Sequence, residues 1–347
     1  MSDQDAILVV GPSWVGDMVM AQSLYKTLKQ FSPEISIDVL APAWSQPILV
    51  RMREVRHSIN QPVGHGVLNI QARFRLGRSL QPKNYRQAYI IPRSMKAALI
   101  PFFAGIPKRT AYRGELRFGV VNDIRPLDKN ILQQTVQRYV ALAYTDLRDT
   151  IPSIPHPQLD IDEDNRNTLL ERFKLGNQTK IVALLPGAEY GPAKLWPVSH
   201  YGALAKKLVA QGLSVWILGS QRDNPMAEKI RRMGGETVAN LCGKTQLEDA
   251  VDLMSLASVV VSNDSGLMHV AASVDRPLVA LYGSSTPDYT PPLSNKARVV
   301  YKKLDCSPCF KRVCPLGHTN CLNFITVDEV YDKVKEQLKK YKDIEIQ

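Results

Sequence analysis

Short apolar runs alternate along the chain with stretches that have the spacing of helices. The first run, Ala6–Val10, is uninterrupted and is followed by a loop that contains two glycines. Residues 18–30 then place apolar side chains at helical intervals, so the chain is predicted to open with a buried parallel strand and a helix. Apolar runs at 35–41, 88–91 and 120–121 continue the alternation. This pattern predicts a doubly wound α/β domain.

A second series of strands and helices follows a stretch without periodicity. Residues 149–158 contain three prolines, which is typical of a linker between domains. Beyond it we predict strands at 180–185, 213–219, 258–262 and 277–282, and helices at 162–174, 199–211, 225–233, 246–257 and 327–341. The chain is therefore predicted to form two Rossmann-like domains, residues 1–155 and 156–347, whose sheets face a central cleft. Whether the last helix packs back on the first domain is left open.

Length and composition fit this division. A chain of 347 residues with 44% apolar residues is long enough for two hydrophobic cores. Its first five residues include two acids, unlike a secretory signal. The longest apolar run, 97–107, has eleven residues, whereas a spanning helix needs about twenty. We expect a cytoplasmic protein that does not cross a membrane.

Positive charge is concentrated in one segment. The whole chain carries a formal net charge of +11, and residues 51–117 alone hold fourteen Lys and Arg against two acids. A basic region of this kind indicates an anionic partner, which can be a nucleic acid, an acidic membrane surface or a phosphorylated substrate. The alternative is a solvated surface without a partner.

The first loop has the glycine spacing of a phosphate-binding loop but lacks its cation. Gly11 and Gly16 are followed by Asp17, where that motif requires Lys and then Ser or Thr. A carboxylate there would repel a triphosphate. Because ligands of open α/β sheets bind at the carboxyl ends of strands, Asp17 is a candidate functional group; its other possible role is to cap the helix.

Three loops of the second series carry candidate ligand-binding residues. In the stretch 263–269, Asp264 can accept hydroxyl hydrogen bonds, His269 can donate to phosphate, and the amides at the helix start suit a diphosphate. The same residues can instead be helix caps and a core histidine. Lys194, in the Gly- and Pro-rich loop 186–197, can neutralise a diphosphate leaving group without a metal. The loop 218–223 is either part of a nucleoside pocket or an ordinary turn.

Four cysteines form a cluster near the carboxyl end: Cys306, Cys309, Cys314 and Cys321. Four thiols within sixteen residues are compatible with a structural zinc site. Their spacing is irregular, with one C-x-x-C pair, so reduced thiols in a loop are the competing interpretation and no metal is assigned to them. Cys242 is predicted to be an isolated core thiol.

Taken together, several long strings resemble those of the lipopolysaccharide heptosyltransferases, which use ADP-heptose. They are GPSWVGDMVMAQSL, APAW, PFFAGIPKRT, PGAEYGPAKLWP, NDSGLMHVAA and PLVALYGSSTPDYTPP, in that order. The match covers nearly the whole chain, and two of the strings, GPSWVGDM and GPAKLWP, favour the member that adds the second heptose. The resemblance implies a GT-B fold and inverting, metal-independent transfer of heptose from ADP-heptose to heptosyl-Kdo-lipid A.

The resemblance also implies roles for individual residues. Asp17 matches the candidate general base and Lys194 the phosphate-binding lysine, so both are predicted to be catalytic. The predicted donor-binding residues are Ser13, Gly187, Glu189, Tyr190, Lys194, Ser220, Gln221, Asp264, Ser265, Gly266 and His269. The basic segment is predicted to bind the acceptor through Arg73, Arg75, Arg78, Arg93 and Lys96, and to meet the anionic inner-membrane surface peripherally. No cofactor is expected.

Two other functions remain open at this stage. Another heptosyltransferase or nucleotide-sugar transferase of the same fold would share these features, because the fold alone does not specify the substrate. A nucleic-acid-binding protein would explain the basic segment, but its charges do not alternate with a stacking platform or match a standard motif. Nucleic acid is therefore not a predicted partner.

Overall fold

The computed structural model describes residues 5–61, 67–147, 150–176 and 180–341. The chain divides into two compact units, Met1–Pro157 and Gln158–Gln347, called here the first unit and the second unit. Each has its own sheet and its own hydrophobic core, and each is described by itself.

The first unit is built from six described strands and five described helices. In chain order they are β1 (Ala6–Val10), α1 (Val15–Phe31), β2 (Ser36–Ala41), α2 (Gln46–Leu49), β3 (Val55–Asn60), α3 (Ile70–Leu80), β4 (Gln87–Ile90), α4 (Met95–Phe103), β5 (Lys108–Tyr112), β6 (Asp123–Arg125) and α5 (Thr135–Ala141). All the strand pairs are parallel, in the order β3-β2-β1-β4-β5-β6. Every residue of β1 is buried, as expected for a central strand covered on both faces.

The second unit repeats this plan. Its elements are α6 (Glu163–Arg172), β7 (Ile181–Leu185), α7 (Val198–Ala210), β8 (Ser214–Ile217), α8 (Asn224–Gly234), β9 (Ala239–Asn240), α9 (Leu247–Met254), β10 (Val259–Asn263), α10 (Gly266–Ser273), β11 (Leu278–Tyr282), β12 (Ala297–Tyr301), α11 (Asn320–Asn323) and α12 (Val327–Lys340). The parallel order is β12-β11-β10-β7-β8-β9. Counted from its own first strand, this is the order of the first sheet read from the other edge. The predicted fold class, two doubly wound Rossmann-like domains, is confirmed.

The strand order fixes where each sheet can bind a ligand. From β1 the chain runs outward to β2 and β3 and then crosses back to β4, on the other side of β1; it likewise runs from β7 to β8 and β9 and returns to β10, on the other side of β7. Loops at such a switch point separate from one another and leave a crevice at the carboxyl ends of the strands. Asp17, Lys194 and Asp264 lie in the segments that follow β1, β7 and β10, respectively.

Edge strands account for most errors in the predicted elements. The predicted strand at 120–121 is wrong: Val121 makes only an isolated bridge with Phe118, and the strand is β6. The edge strands β3, β9 and β12 were not predicted. β5, which lies next to the edge strand β6, was not predicted either. β3 and β12 have mostly half-buried or exposed residues, so they lack the continuous apolar run that marks a central strand.

The apolar run 97–107 lies in the core of the first unit. It forms most of α4, whose Ala98 and Ile100 are fully buried in the cluster that covers the sheet. Phe102, on the outer side of the helix, is 41% exposed. Within the described part of the chain, no helix combines the length and the apolar character needed to cross a membrane.

The last helix packs on elements of the second unit. α12 contacts α7, β10 and β11. The amide of Gln337 is buried there and donates to the carbonyl of Leu278, 3.3 Å away, and to that of Lys296. Val330 and Val334 belong to the core of the second unit, so α12 completes this domain.

Candidate active site

Asp17 lies at the carboxyl edge of the first sheet, in the first turn of α1. Its Oδ1 accepts a hydrogen bond of 2.9 Å from the hydroxyl of Tyr139, on α5. The residue at the N-cap is Trp14, which makes no side-chain capping bond. Asp17 therefore does not hold the N-cap position but lies three residues beyond it. A half-buried carboxylate in the first turn is stabilised by the helix dipole, and it stays accessible to a ligand.

Ser13, predicted to contact the donor, lies in the loop before Asp17. Its carbonyl accepts a hydrogen bond of 2.8 Å from the indole of Trp44, which ties this loop to the loop after β2. Trp14 and Trp44 are 43% and 50% exposed. The rim beside Asp17 therefore offers two aromatic surfaces that the sequence argument did not single out.

Lys194 and Asp264 form the centre of the site in the second unit. Lys194 ends a short 3₁₀ helix after β7, and its Nζ is 2.5 Å from Oδ2 of Asp264, at the end of β10. Asp264 is 4% exposed and also accepts a hydrogen bond from the hydroxyl of Ser285. The structure thus brings together two predicted residues that are seventy positions apart, with Ser285 as a partner that the sequence did not reveal.

Asn263 is a second residue that the sequence argument missed. Its fully buried side chain donates to the carbonyl of Pro186 at 2.7 Å. The side-chain oxygen accepts from the Trp196 amide at 3.1 Å and from the Tyr201 hydroxyl at 3.2 Å. Asn263 therefore fastens both ends of the loop that carries Lys194 to the end of β10. Its position in the string NDSGLMHVAA was visible, but its partners were not.

The start of α10 has the properties of an anion site. Ser265 is the N-cap and makes no side-chain capping bond, and Gly266 is the first helical residue. His269 is 4% exposed, and its Nδ1 has no hydrogen-bond partner in the described residues. Burial lowers the pKa of His269 to about 4, although Asp264 opposes the shift. At neutral pH this imidazole is uncharged, so it can offer a hydrogen-bond donor to phosphate but no positive charge.

At Gly187 the loop after β7 approaches the loop after β8. A Cβ at Gly187 would lie 2.6 Å from the carboxylate of Asp223, so a larger residue would displace this side chain. That carboxylate accepts hydrogen bonds from the amide and the hydroxyl of Ser220. Ser220 is thus engaged in a capping box, while Gln221 packs against Gly243. The structure gives both an ordinary structural role.

Glu189 and Tyr190 occupy the outer part of the loop after β7. Glu189 forms an exposed ion pair of 2.6 Å with Arg222. Tyr190 donates to the carbonyl of Phe310 at 2.8 Å, and Lys194 Nζ lies 5.2 Å from the centre of its ring. Tyr190 is therefore part of the surroundings of Lys194, whereas Glu189 points to solvent.

The four clustered cysteines border one small cavity of about 20 Å³ together with His318. All are free thiols. Hydrogen bonds from backbone amides, that of Thr319 first, lower the pKa of Cys314, while burial raises the pKa of Cys321. No group of three or more His, Cys, Asp or Glu in the described ranges is arranged to hold a metal ion. Cys242 is 1% exposed, as predicted for a core thiol.

The basic segment of the first unit contains two kinds of arginine. Arg73 is 1% exposed and donates to the carbonyls of Val67, Leu68 and Lys96. The prediction that Arg73 binds the acceptor is therefore not supported, because its guanidinium is occupied in joining α3 to α4. Arg75, Arg78 and Arg93 are exposed and Lys96 is half-buried, so these four remain available.

Two Rossmann-like sheets with ligand-binding loops at their carboxyl edges are typical of nucleotide-sugar transferases, and comparison with known proteins identifies the family. Residues 73–320 match the model of glycosyltransferase family 9, the heptosyltransferases, and the chain belongs to this family. It is 51% identical to lipopolysaccharide heptosyltransferase 2 of Salmonella typhimurium over 303 residues, 85% of this chain and 87% of the relative. It is 44% identical to lipooligosaccharide heptosyltransferase 2 of Haemophilus ducreyi, over 96% and 99% of the two chains.

A solved structure agrees with these relatives. The ADP-heptose lipopolysaccharide heptosyltransferase II of Escherichia coli superposes with a TM-score of 0.85 at 42% identity, covering 97% of this chain and 99% of that chain. The predicted resemblance, the predicted GT-B fold and the predicted glycosyltransferase activity are confirmed. The chain is a heptosyltransferase.

Proposed function

We propose that this enzyme transfers L-glycero-D-manno-heptose from ADP-heptose to the first heptose of heptosyl-Kdo-lipid A, with inversion and without a metal ion. The observation that carries the donor part is the Lys194–Asp264 pair beside the uncapped start of α10. The relatives' names support the choice of a nucleotide-heptose donor and a lipopolysaccharide acceptor.

The donor diphosphate is bound in the second unit. Main-chain amides at the start of α10 point along the helix axis and favour an anion. The neutral imidazole of His269 contributes a further donor, and its buried Nδ1 lacks any other described partner. The side-chain contacts of Asp264 found among the described residues both use Oδ2, so we assign a hydroxyl of the donor to Oδ1. Lys194 stabilises the negative charge that develops on departing ADP.

Asp17 acts as the general base in the first unit. Inverting transfer proceeds by direct attack of the acceptor hydroxyl on the anomeric carbon, and one base removes the hydroxyl proton. The hydroxyl of Tyr139 donates to Oδ1 of Asp17, which orients the carboxylate that accepts this proton. The bond from the anomeric carbon to the ADP oxygen breaks as the new glycosidic bond forms.

The proposal of metal independence rests on Lys194 and on the positions of the Asp-x-Asp sequences. Asp160, Asp162 and Asp164 provide these sequences, but Asp162 is the N-cap of α6 and accepts from the amide of Asn165 at 3.0 Å. This carboxylate therefore has a structural role away from the carboxyl edge of the sheet. The cation that offsets the diphosphate charge is Lys194.

Association with an anionic membrane surface fits the outer side of α3. Arg75 and Arg78 are exposed there, and the same helix exposes Ile70 by 53% and Phe74 by 47%. Exposed apolar side chains beside basic ones favour shallow contact with acidic lipid. We propose that this surface holds the enzyme at the cytoplasmic face of the inner membrane, where its lipid acceptor is present.

The test is ADP release from ADP-heptose with and without heptosyl-Kdo-lipid A. We expect release that depends on the acceptor, persists in EDTA and gives a product whose anomeric configuration is opposite to that of the donor. UDP- and GDP-sugars serve as controls and should release little nucleotide. Turnover with one of those donors and none with ADP-heptose would refute the proposed donor.

A further inference from the structure

The cysteine loop, residues 302–319, folds back over the second sheet. The amide of Phe310 donates to the carbonyl of Ser284 at 2.7 Å, and the hydroxyl of Ser307 donates to the carbonyl of Gly283 at 2.5 Å. Both acceptors lie immediately after β11, at the carboxyl edge of the sheet. The loop is therefore anchored beside Ser285 and Asp264 rather than on a remote surface.

The same loop fixes the backbone on the amino-terminal side of Lys194. The amide of Ala193 donates to the carbonyl of Arg312 at 3.0 Å, and the hydroxyl of Tyr190 donates to that of Phe310. Gly191 has a φ of +152°, and a Cβ there would lie 2.6 Å from the Arg312 carbonyl. This close approach explains the glycine and ties the position of Lys194 to the cysteine loop.

The side chain of Arg312 lies on the same aromatic ring as Lys194. Its guanidinium carbon is 5.2 Å from the centre of the Tyr190 ring, and Lys194 Nζ is also 5.2 Å from that centre. The two cations are therefore at most twice that distance apart. Arg312 is exposed, and no carboxylate partner of its guanidinium is found within the described residues.

The positive charge near Lys194 is smaller than the negative charge of a diphosphate. Asp264 offsets Lys194 within an ion pair of 2.5 Å, and Asp223 brings a second carboxylate close to the loop at Gly187. His269 is neutral at pH 7, because burial lowers its pKa to about 4. A sugar nucleotide brings two negative phosphates, so Lys194 and the α10 amides face a ligand that a further cation would stabilise.

We propose that Arg312 is a donor-binding residue whose guanidinium contacts the diphosphate of the nucleotide sugar alongside Lys194. This assignment rests on the proposed donor site and adds a residue to it. The planar guanidinium can donate two parallel hydrogen bonds to one phosphate. The Tyr190 ring, whose centre lies 5.2 Å from the guanidinium carbon, restricts where this side chain can move.

The test compares ADP and adenosine binding by calorimetry in the parent protein and in Arg312→Ala. Arg312→Lys and Lys311→Ala are matched variants, because Lys311 is the adjacent exposed cation. Hydrogen bonds to charged groups contribute enough for about a tenfold loss of ADP affinity. Adenosine lacks phosphate, so its affinity should not change. Lys311→Ala should retain ADP affinity, and Arg312→Lys should restore part of it.

For each ligand we take the ratio of its Kd in Arg312→Ala to its Kd in the parent protein. The readout is this ratio for ADP divided by this ratio for adenosine. A ratio above about three supports the assignment, and a smaller ratio overturns it, because a merely structural loop residue would weaken both ligands alike. Thermal unfolding of each variant identifies any loss of fold. A parent protein that binds neither ligand would refute the proposed donor site itself; normal ADP binding by Arg312→Ala would refute only Arg312.

Discussion

The two units of this enzyme share one strand order but differ in the charge at the carboxyl edge of the sheet, which is negative in the first unit and suited to an anion in the second. At the switch point of the first sheet is Asp17, a single half-buried carboxylate held by Tyr139. In the second sheet the corresponding loops bring Lys194, the start of α10 and His269 together. A doubly wound sheet provides a crevice at the strand ends, and the side chains on its loops decide which ligand charge it accepts.

The largest expected effect is that of Asp17→Asn. The amide keeps the shape of the side chain but cannot accept the hydroxyl proton, so the transfer rate should fall by about 10² to 10⁴. ADP affinity should not change, because the donor site belongs to the second unit. Single-turnover rates and calorimetry measure the two quantities. Near-normal turnover would remove Asp17 from the mechanism.

Lys194→Ala should have the complementary effect on the second unit. Loss of this cation should weaken ADP binding and lower the transfer rate by about 10² to 10³, as for other groups that stabilise developing charge. Lys206→Ala, which removes an exposed lysine of α7, is the control for net charge. EDTA should leave the parent enzyme active. If EDTA abolished activity and Mg²⁺ restored it, a metal ion rather than Lys194 would neutralise the diphosphate.

The pH dependence of stability should reveal the buried histidine of the second unit. The pKa of His269 is about 4 in the folded protein and 6.5 is its ordinary value, so the unfolded chain takes up a proton first as pH falls. Stability should therefore be complete above pH 6.5 and decline towards pH 4, by about 3 kcal/mol at most. Denaturant unfolding of the parent and of His269→Gln measures this. Equal pH slopes in the two proteins would contradict the buried, neutral state.

The smallest expected effect concerns the surface of the first unit. Each basic residue near an acidic membrane contributes about 1 kcal/mol, so Arg75→Gln with Arg78→Gln should lower the affinity for anionic vesicles, measured by sedimentation, by about thirtyfold. The effect should vanish at high salt. ADP affinity should be unchanged. Lys339→Gln with Lys340→Gln, exposed on α12, is the control pair; an equal loss there would mean that net charge alone drives binding.

Much of the fold was predictable because central strands and amphipathic helices are encoded locally. β1, β7 and β11 are apolar at every position and β10 begins with three valines, since both faces of these strands are buried. The residues of the edge strands β3 and β12 are mostly half-buried or exposed, so these strands lack the continuous apolar run that marks a central strand. The burial of Arg73 was also not predictable from the sequence. A basic residue in a basic segment is expected to be exposed, and only the structure shows that Arg73 donates to backbone carbonyls.

The sequence by itself determined the βα alternation, the family and the placement of Asp17, Lys194 and Asp264 in loops after strands, because these follow from local periodicity and adjacent residues. Only the tertiary structure decided which distant groups meet. Ser285 reaches Asp264, Asn263 fastens the loop of Lys194, and Arg312 lies on Tyr190. Such contacts join residues that neither share an element nor follow a period, so they exist only once the sheet has brought its loops to one edge.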